Sequence, residues 1–357
     1  MKFSIRALKL EDEPAYADLC AARPRLARAD AEERARLVQF LAFQNPTSDG
    51  EPTYFVVESG DRLMGHMGRM PTWFWLGGRR HLATFAHDLF VHPELQASGQ
   101  GFFATMRLYQ AVERASKSFI AMCWTNDINI RMQQTRHYSQ LWVERRVRPM
   151  RVDGKLGPLR RWDALERAAT TVGNLAFRGI DNALSIASGR RNLVEVAEPD
   201  ARFDDLAERV GPTMGIAPVK DAAYLRYKYV ARPGLTTKII GAESAPGRLI
   251  GFIVLRDVQG PRNVGTILDL CASPDDVATC EALLGASLRF YRQREVGSIE
   301  AIVTSEEIGK ALKRVGFVRR GDKLPLFFTN GGSSGKGPLL ADVASWHHVY
   351  GDSEGPY

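Results

Sequence analysis

Residues His92–Met106 read HPELQASGQGFFATM and follow directly on the apolar run His81–Val91, HLATFAHDLFV. The run has the length and aromatic content of a strand, and Pro93 marks the point where the chain leaves it. Gly99 and Gly101 then bracket a turn, after which Phe102, Met106, Tyr109 and Val112 recur at helical spacing. The helix opens with no Asp or Glu in its first turn, so no carboxylate of its own competes for the positive end. Two readings follow: an anion site on bare helical amides, or a plain turn between two elements.

Outward from this stretch, TYFVVES (53–59), RLMGHMGRMPTWFWL (62–76) and the run 81–91 are strand candidates. Turns at Ser59-Gly60-Asp61 and Gly77-Gly78-Arg79 separate them, which suits antiparallel hairpins. A short strand and helical material interrupted near Pro24 precede them; a helix and the buried strand IAMCW (120–124) follow. The order strand, helix, three strands, helix, strand predicts a mixed α/β or α+β domain. Beyond a helical connector the same order recurs: LVEVAEPDARFDDLAERV (193–210), TTKIIGAE (236–243), RLIGFIVLRD (248–257), NVGTILDLCASP (263–274), then a helix, the strand IEAIVTS (299–305) and a helix. Such recurrence predicts a diverged internal duplication. The expected division is 1–155, a connector at 156–190, and 191–357. NGGSSGKGP (330–338) reads as an exposed loop, not a nucleotide loop, and LLADVASWHHVYGD (339–352) offers one late strand.

Across 357 residues, 45% hydrophobic and 25% charged, no apolar stretch is long enough to span a bilayer. The N-terminal residues carry acidic side chains where a secretory signal needs an apolar segment, so a cytoplasmic protein without stable membrane insertion is expected. Cys20, Cys123, Cys271 and Cys280 form no metal-ligand spacing and read as buried free thiols; no metal is expected. The net charge of +7 suits an anionic cofactor or substrate as well as nucleic acid, but no basic-aromatic interleaving supports a nucleic-acid platform.

Gln96, Gly99 and Gly101, placed between a fourth strand and a helix, together with the element order over residues 3–145, resemble the GNAT superfamily of acyl-CoA-dependent N-acyltransferases. The second half resembles it less closely, over 191–329. The resemblance implies two tandem GNAT-like domains, each a mostly antiparallel mixed central sheet flanked by helices. It implies acetyl-CoA or another acyl-CoA as cofactor, with a small-molecule or peptide amine as acceptor and a monomer or homodimer as the working form. The glycines allow close backbone approach, so amides of Ala97, Ser98, Gly99, Gln100, Gly101 and Phe102 can converge on a pyrophosphate beside Gln96. In the second half Asp275 and Asp276 occupy the matching helix entrance and oppose a phosphate, so one cofactor site is expected, in the N-terminal half.

The resemblance also places an amide near the end of the fourth strand against the thioester carbonyl, here Phe90 or Val91. His87 and Asp88 are the base candidates, directly or through water, and alternation along a strand sets them on opposite faces. Either side chain also suits a structural role. After IAMCW, Asn126 and Asn129 resemble the Asn that faces the cofactor arm, though a helix cap explains them equally. Tyr138 is the preferred acid for the departing thiolate, with packing at a domain seam the other reading. Trp142 stands where the family usually ends this segment in Gly-Phe. TWFWL (72–76) suits core or interface packing, or else the wall of an acyl tunnel in a long-chain transferase. The basic run Arg145, Arg146, Arg148, Arg151, Arg160 and Arg161 reads as solvated surface or as an attractor for CoA phosphates. An acetyltransferase is the leading expectation, with a long-chain N-acyltransferase or a non-catalytic CoA-binding module as alternatives.

Overall fold

The computed structural model describes residues 2–23, 27–116, 120–124, 130, 138–151, 170–175, 179, 191–260, 263–330, 342 and 345–352. The first half comprises β1 (Ser4–Ala7), α1 (Glu13–Ala21), α2 (Arg28–Phe43), β2 (Tyr54–Ser59), β3 (Arg62–Leu76), β4 (Arg79–Val91), α3 (Pro93–Ala97), α4 (Gly101–Ala115), β5 (Ile120–Trp124) and β6 (Ser139–Pro149). The second comprises β7 (Asn192–Val196), α5 (Ala201–Val210), β8 (Ala217–Pro218), α6 (Ala222–Leu225), β9 (Thr237–Ala245), β10 (Arg248–Arg256), β11 (Val264–Ala272), α7 (Val277–Gln293), β12 (Ser298–Ile302), α8 (Glu306–Arg314) and β13 (Val318–Asn330). The repeated element order read from the sequence is therefore present in both halves, and the fold is a mixed α/β sheet flanked by helices. Most of the connector at 156–190 lies outside the described residues, as does nearly all of the loop at 330–338.

Both hairpins turn where glycine permits a positive φ: Gly60 at 60°, and Gly77 and Gly78 at 58° and 73°. Alternation along β2–β4 then sends one set of apolar side chains to each face. Tyr54, Val56, Met70, Phe74 and Phe85 pack with Tyr16, Leu19, Ala31 and Val38 of α1 and α2. Phe55, Val57, Met67, Ala86 and Val91 pack with Ala104, Leu108 and Val112 of α4 on the other face. Burial of each large side chain contributes about 1.5–3 kcal/mol, so both helical layers are held mainly by this apolar seam.

The halves share one sheet, in the order β1-β2-β3-β4-β5-β13-β6-β12-β11-β10-β9-β7, with β8 paired to β3. Parallel pairs β4–β5 and β11–β12 sit at corresponding places in an otherwise antiparallel sheet. The last strand of each half pairs within the other. β13 lies between β5 and β6, and β6 lies between β13 and β12. Strands β6 and β13 are not apparent in the sequence, because charged residues interrupt their alternation: β6 reads SQLWVERRVRP and β13 reads VRRGDKLPLFFTN.

The arginines of β6 account for that interruption. Arg145 pairs with Glu300 at 2.7 Å, Arg146 donates to the Gly309 carbonyl, and Arg148 Nε donates 2.7 Å to the carbonyl of Val315 at the end of α8. Arg148 is 3% exposed, so the basic run is neither solvated surface nor phosphate attractor at these positions but a stitch between halves. Arg160 and Arg161 lie outside the described residues. The TWFWL segment is likewise a seam. Phe74 and Trp75 pair with Pro218 and Ala217 of β8, and Trp75 packs against Ala207 and Val219. A Cβ on Gly211 would overlap the Trp75 ring, so glycine is required there for the halves to close. The late strand expected in 339–352 does not form among the described residues. Residues 345–352 make two isolated bridges, Ile216 to Trp346 and Val303 to Val349, and end in a short turn at Tyr350–Asp352. All four cysteines are buried and free, and burial pushes the thiols of Cys271 and Cys280 up to about 12. Among the described residues no helix is long and apolar enough to cross a membrane.

Candidate active site

Strand β4 pairs with β5 only from Ala83–Ile120 to Ala86–Cys123, whereas it stays paired with β3 as far as Gly65–Val91. His87 to Val91 therefore have no strand partner on the β5 side among the described residues, where the sheet parts. His92 donates its amide to Met64 on β3 at 2.8 Å. By alternation the Phe90 amide also faces β3, while that of Val91 faces the opening. Of the two backbone candidates, Val91 is the one presented to the gap.

Helix α4 begins beside this opening. Gly99 has φ +76°, and Gly101 packs so closely on Gln96 that a Cβ would lie 3.0 Å from the Gln96 Cα. Ala97 ends α3, and the amides of Ser98 and Gly99 are used by the carbonyls of Glu94 and Gln96. Gln100, the N-cap, makes no side-chain cap bond, and the first turn has no acidic residue. Helix geometry therefore leaves Gln100, Gly101, Phe102 and Phe103 as the amides without an intrahelical acceptor. Of the amides expected from the sequence, those of Ala97, Ser98 and Gly99 are thus spent within α3 and the turn, and Phe103 offers a further unpaired one by its place in the helix. Gln96 Nε2 donates 2.8 Å to the Val91 carbonyl, tying the strand end to α3, and His92 Nδ1 accepts from the Glu94 amide as a cap. Gln96 thus fixes the entrance of α4 against the end of β4 through its side chain.

The corresponding place in the second half is closed twice. β11 leaves β12 after Ile267–Ala301, but Asp276 caps α7, accepting from the Thr279 amide at 3.1 Å and from its hydroxyl at 2.6 Å. The opening itself is filled by residues 346–352. His347 Nε2 meets the Leu270 carbonyl at 2.9 Å, Thr304 donates its hydroxyl to the Trp346 carbonyl, and a Cβ on Gly351 would lie 2.9 Å from the Leu268 carbonyl.

His87 and Asp88 are brought together, contrary to the alternation expected from the sequence. Between the pairs Gly68–His87 and His66–Phe90, two residues of β4 oppose Met67 alone, a bulge that lets Asp88 adopt φ +54°. Both side chains then reach residues on the α1/α2 side. His87 lies edge-on to Tyr54 with ring centroids 5.3 Å apart, and Gly68 leaves the space its ring needs. Asp88 is held by Arg23 from the end of α1 at 2.9 Å and by Arg34 of α2 at 2.7 Å. Arg23 also meets His66 Nε2 at 2.6 Å and lies 4.8 Å from the Phe90 ring centroid, while the Tyr16 hydroxyl meets His66 Nδ1. With Arg23 a donor only, His66 Nε2 accepts and its Nδ1–H points to Tyr16. Burial pushes the imidazole below its ordinary value, the neutral form this tautomer requires. Burial pushes the Asp88 carboxyl up, but the Arg34 and Arg23 guanidiniums overcome it and hold the acid well below the usual carboxylate range. A carboxylate so bound is a poor proton acceptor.

Tyr138 is buried with Val91, Leu95, Ala104 and Cys123 on the α4 face, away from the Asp88 cluster. Asn126 and Asn129 lie outside the described residues. Tyr16, Arg23, Arg34 and His66 went unremarked in the sequence because lone residues inside helical and strand patterns carry no motif. The N-terminal half thus combines an opened sheet, a strand amide facing the gap and an uncapped helix end. Together they can hold an anionic, elongated ligand across the sheet edge with a carbonyl against Val91.

Comparison with known proteins finds no matching family model and no curated relative by sequence. Solved structures share the fold. A GCN5-related N-acetyltransferase from Anabaena variabilis superposes with TM-score 0.62 at 11% identity, over 93% of this chain and 73% of that one. The tandem GNAT protein from the clavulanic acid biosynthesis pathway gives 0.52 at 14%, over 93% of this chain and 100% of that one. Saccharomyces cerevisiae N-myristoyltransferase, with bound myristoyl-CoA, gives 0.54 at 10%, over 92% and 82%. The chain has the tandem GNAT fold.

Proposed function

We propose that the chain is an acyl-CoA-dependent N-acyltransferase with one cofactor site, in the N-terminal half, and that acetyl is the group transferred to a primary amine. The observation that carries this reading is the contrast between the helix ends: α4 opens uncapped beside a parted sheet, whereas α7 is capped by Asp276 beside a filled one. The amides of Gln100 to Phe103 suit a pyrophosphate, and the gap between β4 and β5 suits the arm that follows it. The acyl-CoA supplies an activated thioester. The Val91 amide steadies negative charge on the thioester oxygen. His87, on the α1/α2 side, takes the ammonium proton, since Asp88 is committed to two arginines. As the carbon–nitrogen bond forms and the carbon–sulfur bond breaks, the nitrogen sheds its second proton to water, and Tyr138, on the cradle side, gives a proton to the thiolate and regains one from water. A short acyl group is favoured over a long one because Phe74, Trp75 and Leu76 of the aromatic stretch are buried at the seam, leaving Trp73 alone exposed to serve as an apolar wall.

Titration calorimetry with acetyl-CoA tests the site. One molecule is expected per chain. Gly101→Val, which forces side-chain atoms against Gln96, is expected to weaken binding at least about tenfold while the protein stays folded. Two sites per chain, or undiminished affinity in the variant, would place the cofactor elsewhere. Thiol release with acetyl-CoA and with longer acyl-CoA donors across an amine panel tests the acyl preference.

A further inference from the structure

Asp88 brings one negative charge to two guanidiniums, and the described residues supply no second carboxylate within ion-pair distance of Arg23 or Arg34. His66 is held neutral by its contacts with Tyr16 and Arg23, so among the described residues the cluster keeps at least one unbalanced positive charge. Among the described residues, the Nε–H groups of Arg23 and Arg34 are both shielded from solvent without an acceptor, and Asp88 Oδ2, though 2.7 Å from Arg34 as an ion pair, has no hydrogen-bond donor. Buried unpaired donors of this kind are costly and call for a partner. Yet both side chains remain reachable, at 26% and 28% exposure against 6% for Asp88. The second half contains its own comparison. Asp269 stands two residues beyond the last β11–β12 pair, as Asp88 stands two beyond the last β4–β5 pair. There Lys220 meets Asp269 at 2.5 Å and Asp352 at 3.4 Å, all three essentially inaccessible, and the buried Lys228 ammonium also acts on Asp352, so two ammoniums stand against two carboxylates. The second half thus matches its buried cations with carboxylates one for one, whereas the described residues of the open half leave positive charge in excess.

The geometry points to Arg23 and Arg34 as a specificity pair for a carboxylate on the acceptor, making the acceptor an amine that carries a carboxylate, such as an amino acid or a peptide with a nearby acid. The assignment rests on the proposed transferase reading, because it places the anion on the α1/α2 side of β4, beside His87 and across the sheet from the proposed cofactor cradle. Arg34 contributes from a regular helix and Arg23 from the end of another, while Asp88 holds both forks in register.

The test compares ligands that differ only in charge. N-acetyl derivatives of glycine, glutamate, phenylalanine and lysine are titrated against the CoA-saturated wild-type chain beside the matching carboxamides. Carboxylates are expected to bind at least about tenfold tighter, the discrimination of a charge-assisted hydrogen bond. Arg34→Gln and Arg23→Gln should reduce that ratio below about threefold with CoA affinity unchanged, and Arg34→Lys should restore part of it. Equal affinity for acid and amide in the wild type, or binding of neither, overturns the assignment without recourse to a variant. A ratio that survives both Gln substitutions overturns it too. Failure of the transferase reading is distinct: CoA then does not bind, or no acyl transfer follows, whatever the carboxylate titrations give.

Discussion

His66 is fully buried between the Tyr16 hydroxyl and the Arg23 guanidinium, and its neutrality ties the α1/α2 layer to pH. In the unfolded chain the imidazole titrates near 6.5; in the fold, burial lowers that value and Asp88 offsets it only in part. The folded state therefore binds fewer protons here than the unfolded state. Its contribution is complete above about pH 6.5 and is lost as pH falls below it. Urea unfolding at pH 7.5 and pH 5.0 is expected to show a larger loss for the wild type than for His66→Gln, by up to about 1.4 kcal/mol per pH unit. Equal losses would mean that His66 is not held neutral. At this scale the sequence identified His87 and Asp88 as neighbours of the site but misjudged their faces. One extra residue in β4 slips a period of two, and nothing in HLATFAHDLFV announces it.

Two helices that follow corresponding strands begin differently, and the difference was readable in the chain. Ser273-Pro-Asp-Asp supplies α7 with a carboxylate that accepts from the Thr279 amide and hydroxyl, and Arg191 pairs with the same carboxylate at 3.0 Å. Asp276→Ala is expected to destabilise the protein by about 1 kcal/mol, the usual value of a cap. Gln100→Ala, at the uncapped end of α4, is expected to change stability by no more than a few tenths, since that side chain makes no cap bond. Denaturant midpoints for the pair check this, and equal losses would remove the asymmetry. The hairpins of β2–β4 were equally legible, because glycines at positive φ fix their turns. β6 and β13 were not. Their polar residues look solvent-facing until Arg145 finds Glu300 and Arg148 finds the end of α8, partners more than 150 residues away.

The thirteen-stranded sheet makes the two halves one structure, since β13 separates β5 from β6 and β6 separates β13 from β12. A fragment of residues 1–155 lacks the strand that β5 and β6 both pair with. Alone it leaves Phe327 and Phe328 missing from opposite faces of the first half's core. Such a fragment is expected to show no cooperative thermal transition by circular dichroism, whereas the full chain unfolds cooperatively; independent cooperative folding would show that the exchanged strands are dispensable. The sequence by itself determined the repeated strand-helix order, the turn positions and the contrast between a bare and a capped helix entrance, because these depend on neighbours within a few residues. Only the tertiary structure decided which strand closes each half, which residues fill the second opening, and that two arginines converge on Asp88. Those outcomes depend on buried charge finding partners across long stretches of chain, where no local periodicity carries the information.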